Sequence, residues 1–333
     1  MATVGSDTYN LINIAKHYNN GKMLKVANLL EEVNDIHKVM PFVPANDGSR
    51  HISAAQATLP KSYKKIIGEG VASSVGTVTQ QQDNCAITEN WMEIEDRLVE
   101  KYPIDNGSRG AFLKTKEVAH MESLMQEKTE DLFYSNQNTN LTAINGFFSR
   151  YNSSTGNIGR NVIKGVGTGA TNMSCMAVTF EPEKIFGIYP EGSAGGLQTS
   201  ALEVNNFERD SKNIRLYKKR FAFECGLVVA DWRYGARLAN VDVNKITTNA
   251  SDKDDLIRGV QKLLQRLHKR ERGKTFLFMN RTFRDELDLQ LYKKLGDNGG
   301  LTYKDVSGMY VDHFRETPIL IVDGLKTTEA AIS

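Results

Sequence analysis

YKKRFAFECGLVVADWRYGARLANVDV, residues 217–243, is the most informative run in the chain. Phe221, Phe223 and Cys225 alternate with Ala222 and Glu224, the two-residue period of a half-buried strand. Two segments upstream, CMAVTF from Cys175 and KIFGIYP from Lys184, have the same strand composition. Residues 175–245 are therefore expected to form three or four antiparallel strands. Downstream, residues 251–325 read as helix, strand, helix, strand. Ser251 is the expected helix cap, with Asp254 three residues on and Asp252 and Asp255 in the same turn. Leu256, Ile257, Val260, Leu263, Leu264 and Leu267 make one apolar face. TFLFMN is a short buried strand, Arg281 to Leu295 a second helix ended by Gly296, DNGG a turn, and ETPILIV at 316–322 a closing strand.

Working back toward the start, residues 136–174 are rich in Asn, Ser, Thr and Gly and read as loop or hairpin. Residues 108–134 read as one long helix capped by Ser108. Val118, Met125 and Leu132 stand seven apart on it, with Met121 and Leu124 between them. At about 1.5 Å per residue it spans roughly 40 Å, the length of a spine on which other elements hang. Residues 46–100 carry few bulky apolar side chains, with short strands expected near 50–58, 71–80 and 83–93. That composition cannot build its own core, so it reads as a two-stranded excursion that lies on something else. Residues 8–40 read as two helices broken at Asn19-Asn20-Gly21, the second stopped by Pro41 and Pro44.

Composition sets outer limits. The 333 residues carry 42 Lys+Arg against 40 Asp+Glu, a net +2, with 40% hydrophobic and 25% charged residues. Those values exclude a disordered or collagen-like chain and argue against a dedicated nucleic-acid binder. No apolar run reaches the length of a membrane span, and the first residues lack a secretory pattern. Cys85, Cys175 and Cys225 are too few and too scattered for a disulfide framework.

The search for chemistry assigns no catalytic, cofactor or metal residue. Gly165-Val166-Gly167-Thr168-Gly169 lacks dinucleotide spacing and a following helix. Glu191-Gly192-Ser193-Ala194-Gly195 lacks the first Gly of a nucleophile elbow. His17, His37, His51, His120, His268 and His313 show no ligand spacing. Glu93, Glu95 and Asp96 read as a solvated strand end. Lys262, Arg266, Lys269, Arg270, Arg272 and Lys274, against Glu271 alone, read as a solvated helix face matched to the dipole. Phosphate contact through this 262–274 face is the alternative, and an enzyme without a recognisable motif is the other.

Beyond composition, several segments carry a resemblance. IFGIYPEGSAGGLQ at 185–198, the 217–243 run, EDLFYSNQNTNLTAINGFFSRYN at 130–152 and LINIAKHYNNGKMLKVANLLEEVNDIHKVMPFVPAND at 11–47 resemble the major capsid proteins of short-tailed, double-stranded DNA bacteriophages. The epsilon15-like and Bordetella podoviruses are the relatives meant. The resemblance implies an α+β Hong Kong 97-type capsid fold with no enzymatic activity. On it, residues 1–45 are the N-terminal helical arm and 46–100 the extended E-loop lying across a neighbour. Residues 101–250 are the P-domain, with spine helix 108–134 and strands 175–245, and residues 251–333 are the A-domain and C-terminus. FLFMNRTFRDELDLQLYKKLGDNGG and ETPILIVDGL are similar to the A-domain pattern. Only residues 323–333 follow that last strand, so the block 175–245 is expected to supply the P-domain sheet in a rearranged connectivity.

The resemblance further implies a subunit that assembles in the host bacterial cytoplasm and ends in the virion shell. Its implied partners are itself in pentamers and hexamers, portal and scaffolding proteins, a cementing or decoration protein, and non-specifically bound packaged DNA. It implies no membrane partner and no cofactor. Lys61, Lys64 and Lys65 lie in the E-loop, where some relatives cross-link, but no motif fixes a partner. Gly68, Gly70 and Gly76 are the expected flex points.

Overall fold

In the computed structural model, the described residues are 18–19, 22–23, 32–100, 108–193, 195–209, 212–270, 274–295, 302–306 and 309–333. They divide into two compact units. One comprises Val33–Ala86, Thr129–Ser193 and Cys225–Ser333; the other comprises the described residues within 1–32, 87–128 and 194–224.

The first unit is organised by a seven-stranded sheet. Its spatial order is Thr302–Val306, Met309–Phe314, Thr317–Ile321, Thr275–Met279, Asn172–Thr179, Gly235–Asp242, Val162–Lys164. Asn172–Thr179 and Thr275–Met279 are buried along their whole length, which their continuous small and apolar side chains allow. On one face Cys175, Ala177, Leu238, Leu277 and Ile319 meet two helices, Leu256–Arg266 and Arg281–Leu295, through Val260, Leu263, Leu264, Phe283 and Leu287. On the other face Met176, Val178, Phe276, Phe278 and Leu320 meet Leu132, Phe133, Phe147, Phe148 and Tyr151. Phe133 touches the rings of Phe147, Phe148 and Phe278 at 5.7, 5.4 and 6.2 Å between centroids. These tilted and edge-on pairs are the favoured aromatic geometries.

Residues 323–333 close over the same unit as a strap. Ala331 N donates to Gly169 O (3.0 Å), and the Asn240 amide brackets Ile332, accepting from its N–H and donating to its carbonyl at 2.9 Å each. Asn240 sits at the bulge of its strand with φ +57°, a conformation Asn tolerates.

In the second unit, strand Ala86–Glu95 pairs with the long strand Lys212–Val229. Glu203–Arg209 pairs antiparallel with the start of that long strand, and Gly196–Thr199 with Phe221–Glu224. The long helix, Ser108–Tyr134, contributes its earlier turns here. His120 stacks on Phe221 (6.0 Å, 6°) and hydrogen-bonds Asn90 (2.9 Å), while Glu117 pairs with Lys219 (2.8 Å).

Several expectations need correction. The strands of 175–245 serve two sheets, not one. Asn172–Thr179 and Gly235–Asp242 join the seven-stranded sheet with strands from 251–325, whereas Lys212–Val229 pairs elsewhere, its last residues with Ile185–Tyr189. The chain changes direction at the 3-10 turn Trp232–Tyr234, where Asp231 accepts from Arg233 N. After the turn, side chains on both faces are buried, as an interior strand requires.

Asp255, not Ser251, caps its helix, accepting from Arg258 N at 3.1 Å. The Asp254 carboxylate turns instead to Val166 N. Residues 302–306 and 309–314 form a hairpin beyond the expected turn. Tyr18–Asn19 and Lys22–Met23 pair antiparallel as short strands, where helix was expected on either side of the break. The remainder of the two expected arm helices lies outside the described residues up to residue 32, and Ile36–Val39 is the described helical turn before Pro41. On the long helix Val118 is exposed. The inward row runs through Leu113, His120, Leu124 and Lys128, so polar side chains occupy positions that the apolar pattern left out.

Candidate assembly surface

Strands Arg50–Thr58 and Thr77–Asn84 form a two-stranded antiparallel sheet that pairs with no third strand among the described residues. Nine residues of strand at about 3.3 Å each carry its end roughly 30 Å from its base. Beyond its base it carries Ser, Ala, Gln and Thr with Val78, and its cross-strand pairs are correspondingly weak: Ser53 opposite Gln81, Ala54 opposite Gln80, Ala55 opposite Thr79. At the far end Thr58 and Thr77 share a hydroxyl hydrogen bond of 2.8 Å. Gly76 passes so close to Thr58 O and Gln56 that no Cβ fits, so its glycine is required for packing. Gly68 at φ +99° and the unobstructed Gly70 are the freer positions of the tip.

The base is held firmly. The Asn46 amide clamps Ile52 from both sides, donating to its carbonyl (2.9 Å) and accepting from its N–H (2.8 Å). The buried Asp83 carboxylate accepts from Arg150 at 2.5 Å, and Arg150 also donates to Leu227 O and Asn145 O. The His51 ring stands edge-on to Phe186 at 5.3 Å. Removing one member of a buried ion pair leaves the other desolvated, at a cost of about 3 kcal/mol or more. Arg150→Met is therefore expected to lower subunit stability by about 3 kcal/mol and to speed hydrogen exchange in residues 50–58 and 77–84. Parent-like exchange there would show that the pair does not anchor the hairpin.

Burial lowers the His51 pKa below the usual imidazole value, and Asp83 offsets this only in part. Its Nδ1 is buried without a hydrogen-bond partner among the described residues. A depressed folded pKa means that the unfolded chain binds the proton first. The contribution is complete above the ordinary imidazole pKa of about 6.5 and is lost as pH falls through the lower folded value. His51→Phe is expected to lose less melting temperature than the parent between pH 7 and pH 5. Equal losses would remove His51 from the account.

The tip, residues 59–76, is the exposed end. Leu59 is 80% exposed, Ile66 66%, Ile67 100% and Val75 90%, with Tyr63 half-exposed. Lys61, Lys64 and Lys65 stand among them, all exposed. Scattered surface apolar residues are ordinary, whereas here several large ones share one tip. The hairpin is thus a rigidly footed arm whose free end has contact surface and no core of its own.

The other candidates have structural roles. Gly165 N and Gly167 N donate to Ala239 O and Asn240 O (2.8 Å each), and a Cβ at either glycine would strike its neighbours. Glu191 N bonds Gly48 O. Glu93 pairs with Lys218 (2.6 Å) and Asp96 with Arg215 (3.3 Å), so two of these three carboxylates are tied to cations. His37 bonds Thr129 (3.0 Å), His268 meets the Tyr234 ring and His313 is buried; His17 lies outside the described residues. Among the described residues no group of His, Cys, Asp and Glu has the arrangement of a metal site. Cys175 is fully buried, which pushes its thiol pKa up, and no helix there is long and apolar enough to cross a membrane.

Sequence reasoning passed over one cluster, buried at the strap. Arg237 pairs with Glu329 (2.9 Å), lies 3.9 Å over the Phe148 ring and donates to Tyr151 O (3.0 Å). Ser174 donates to the same carboxylate, and Tyr134 OH donates to its other oxygen at 2.7 Å. An arginine inside the otherwise small and apolar GARLANV strand was the available signal.

Comparison with known proteins places this architecture. A solved structure of bacteriophage epsilon15 superposes with a TM-score of 0.75 at 21% identity, covering 100% of this chain and 99% of that one. The capsid of cyanophage A-1(L) gives 0.50 at 10% identity, over 70% of this chain and 99% of that one. The fold is the α+β, Hong Kong 97-type fold of phage capsids. The model of the family described as major capsid protein GP7 matches residues 18–333, and the chain belongs to that family. It is the major structural subunit of a phage head, located in the virion shell, and not an enzyme. No curated protein sequence matches it.

Proposed function

We propose that residues 46–100 hold the E-loop of this subunit, that its projecting part is the hairpin Arg50–Asn84, and that the tip of this hairpin lies across a neighbouring copy in pentamers and hexamers. The exposed Leu59, Ile66, Ile67 and Val75 at the end of an anchored arm carry this reading. Residues 1–45 are the arm, 101–250 the P-domain and 251–333 the A-domain. The seven-stranded sheet draws strands from both of the last two segments. One subunit type that occupies five-fold and six-fold rings needs alternative settings of the loop, and Gly68 and Gly70 supply the freedom. The inner face of the shell meets packaged duplex DNA through charge, without reading sequence, which the net +2 suits. Portal, scaffolding and cementing proteins are the further partners of such a shell.

Hydrogen exchange before and after assembly tests the loop's role. Residues 59–76 are expected to exchange within seconds in free subunits and to be protected in shells. Equal exchange in the two states would mean that the tip meets no neighbour.

A further inference from the structure

Helix Leu256–Arg266 buries Leu256, Val260, Leu263 and Leu264 and turns Arg258, Lys262 and Arg266 to solvent. These three cations are four residues apart and form one row along the helix. None has an ion-pair partner among the described residues, and like charges at this spacing repel. Such a row gains from an anionic counterpart.

The same helical layer contains one. Helix Arg281–Leu295 buries Phe283, Leu287 and Leu291 and exposes Asp285, Asp288, Leu289 and Tyr292, again a single row at helical spacing. Arg284 is shared between Asp285 (2.7 Å) and Asp312 (3.3 Å). Leu289 and Tyr292 add half-exposed apolar surface. The helices are joined where Gln290 accepts from Leu256 N (2.9 Å). They occupy opposite halves of the layer. The basic helix overlies Gly235–Asp242 and Val162–Lys164, whereas Arg284 ties the acidic one toward Met309–Phe314.

We propose that the basic row Arg258/Lys262/Arg266 of one copy docks on the acidic, apolar row Asp285/Asp288/Leu289/Tyr292 of the next copy in a capsomer ring. The contact is head to tail, so each copy offers one row and receives the other, and repeated rotation closes a ring. Complementary charge sets the register, and Leu289 and Tyr292 supply burial. Exposed apolar side chains beside the acids favour a protein counterpart over a nucleic acid. This inference rests on the shell-subunit reading.

Charge reversal in the full chain tests it, read by light scattering and negative-stain microscopy. R258E/K262E/R266E and D285K/D288K are each expected to raise the concentration needed for ring formation at least tenfold. The chain carrying both sets regains assembly. An equal mixture of the two reversed chains must alternate around a ring, so it should give six-membered rings and no five-membered ones. Thermal melting shows whether each variant folds, and the doubly reversed chain decides where one does not. Variants that assemble like the parent overturn the proposal alone. If the basic-row variant also loses retention on mixed-sequence duplex DNA, the row serves nucleic acid instead. A parent chain that forms no rings overturns the proposal together with the reading beneath it.

Discussion

A subunit carrying Ile66→Asp and Ile67→Asp is expected to fold normally and to form no shells. Both side chains lie on the tip, outside either core, and Ile67 is fully exposed. Burying an isoleucine against a neighbour contributes about 1.5–3 kcal/mol, so losing two removes about 3–6 kcal/mol per contact. Placing a carboxylate in the same interface adds an uncompensated desolvation cost. A loss of about 4 kcal/mol per contact is roughly a thousandfold in affinity, and a shell repeats the contact at every subunit. Circular dichroism and melting temperature should match the parent, while sizing with light scattering should show unassembled subunits. Normal shells from this variant would remove the tip from the assembly mechanism.

That assembly-blocked chain is the right background for the second large effect, Arg237→Met. The guanidinium is buried and contacts Glu329, the Ser174 hydroxyl, Tyr151 O, Phe148 O and the Phe148 ring. Burial lowers its pKa, and Glu329 opposes that. Burial, followed by the Glu329 charge, also drives the Tyr134 hydroxyl well above its usual range, so it stays protonated and donates to the carboxylate. Removing the cation strands Glu329 and two carbonyls in a dry interior, at a cost of about 3–5 kcal/mol. Replacing both charges, as in Arg237→Met with Glu329→Met, should recover much of that loss, because the desolvation cost goes with the pair. Urea unfolding measures the difference, and hydrogen exchange in residues 326–333 should show the strap released in the single variant. A single variant within about 1 kcal/mol of the background would mean the cluster is not what holds the strap.

How much of this was legible depends on whether the signal was local. The long helix was read to its observed bounds because a run of helix formers free of proline is a local feature. The strand at 50–58 was read at its observed bounds, because a polar, β-rich segment with little apolar surface cannot form a core, whereas its partner was expected near 71–80 and runs Thr77–Asn84. Which sheet each strand joins was not legible. Gly235–Asp242 and Lys212–Val229 both read as strand, and the three-residue turn between them separates strands that join different neighbours. The strap was missed because Glu329 gains meaning only opposite Arg237, 92 residues away. The tip's role came from sequence as an excess of surface for one chain, and the structure supplies its firm anchor at Asp83–Arg150. The resemblance supplied the family, which no single motif in the chain could have done.

The most direct measurement is light scattering on a sizing column with negative-stain microscopy of the same fractions, using the full chain across a range of salt. The account predicts hollow shells or five- and six-membered rings. A discrete dimer or tetramer that stays unassembled at every salt, and after phage assembly factors are added, would contradict it.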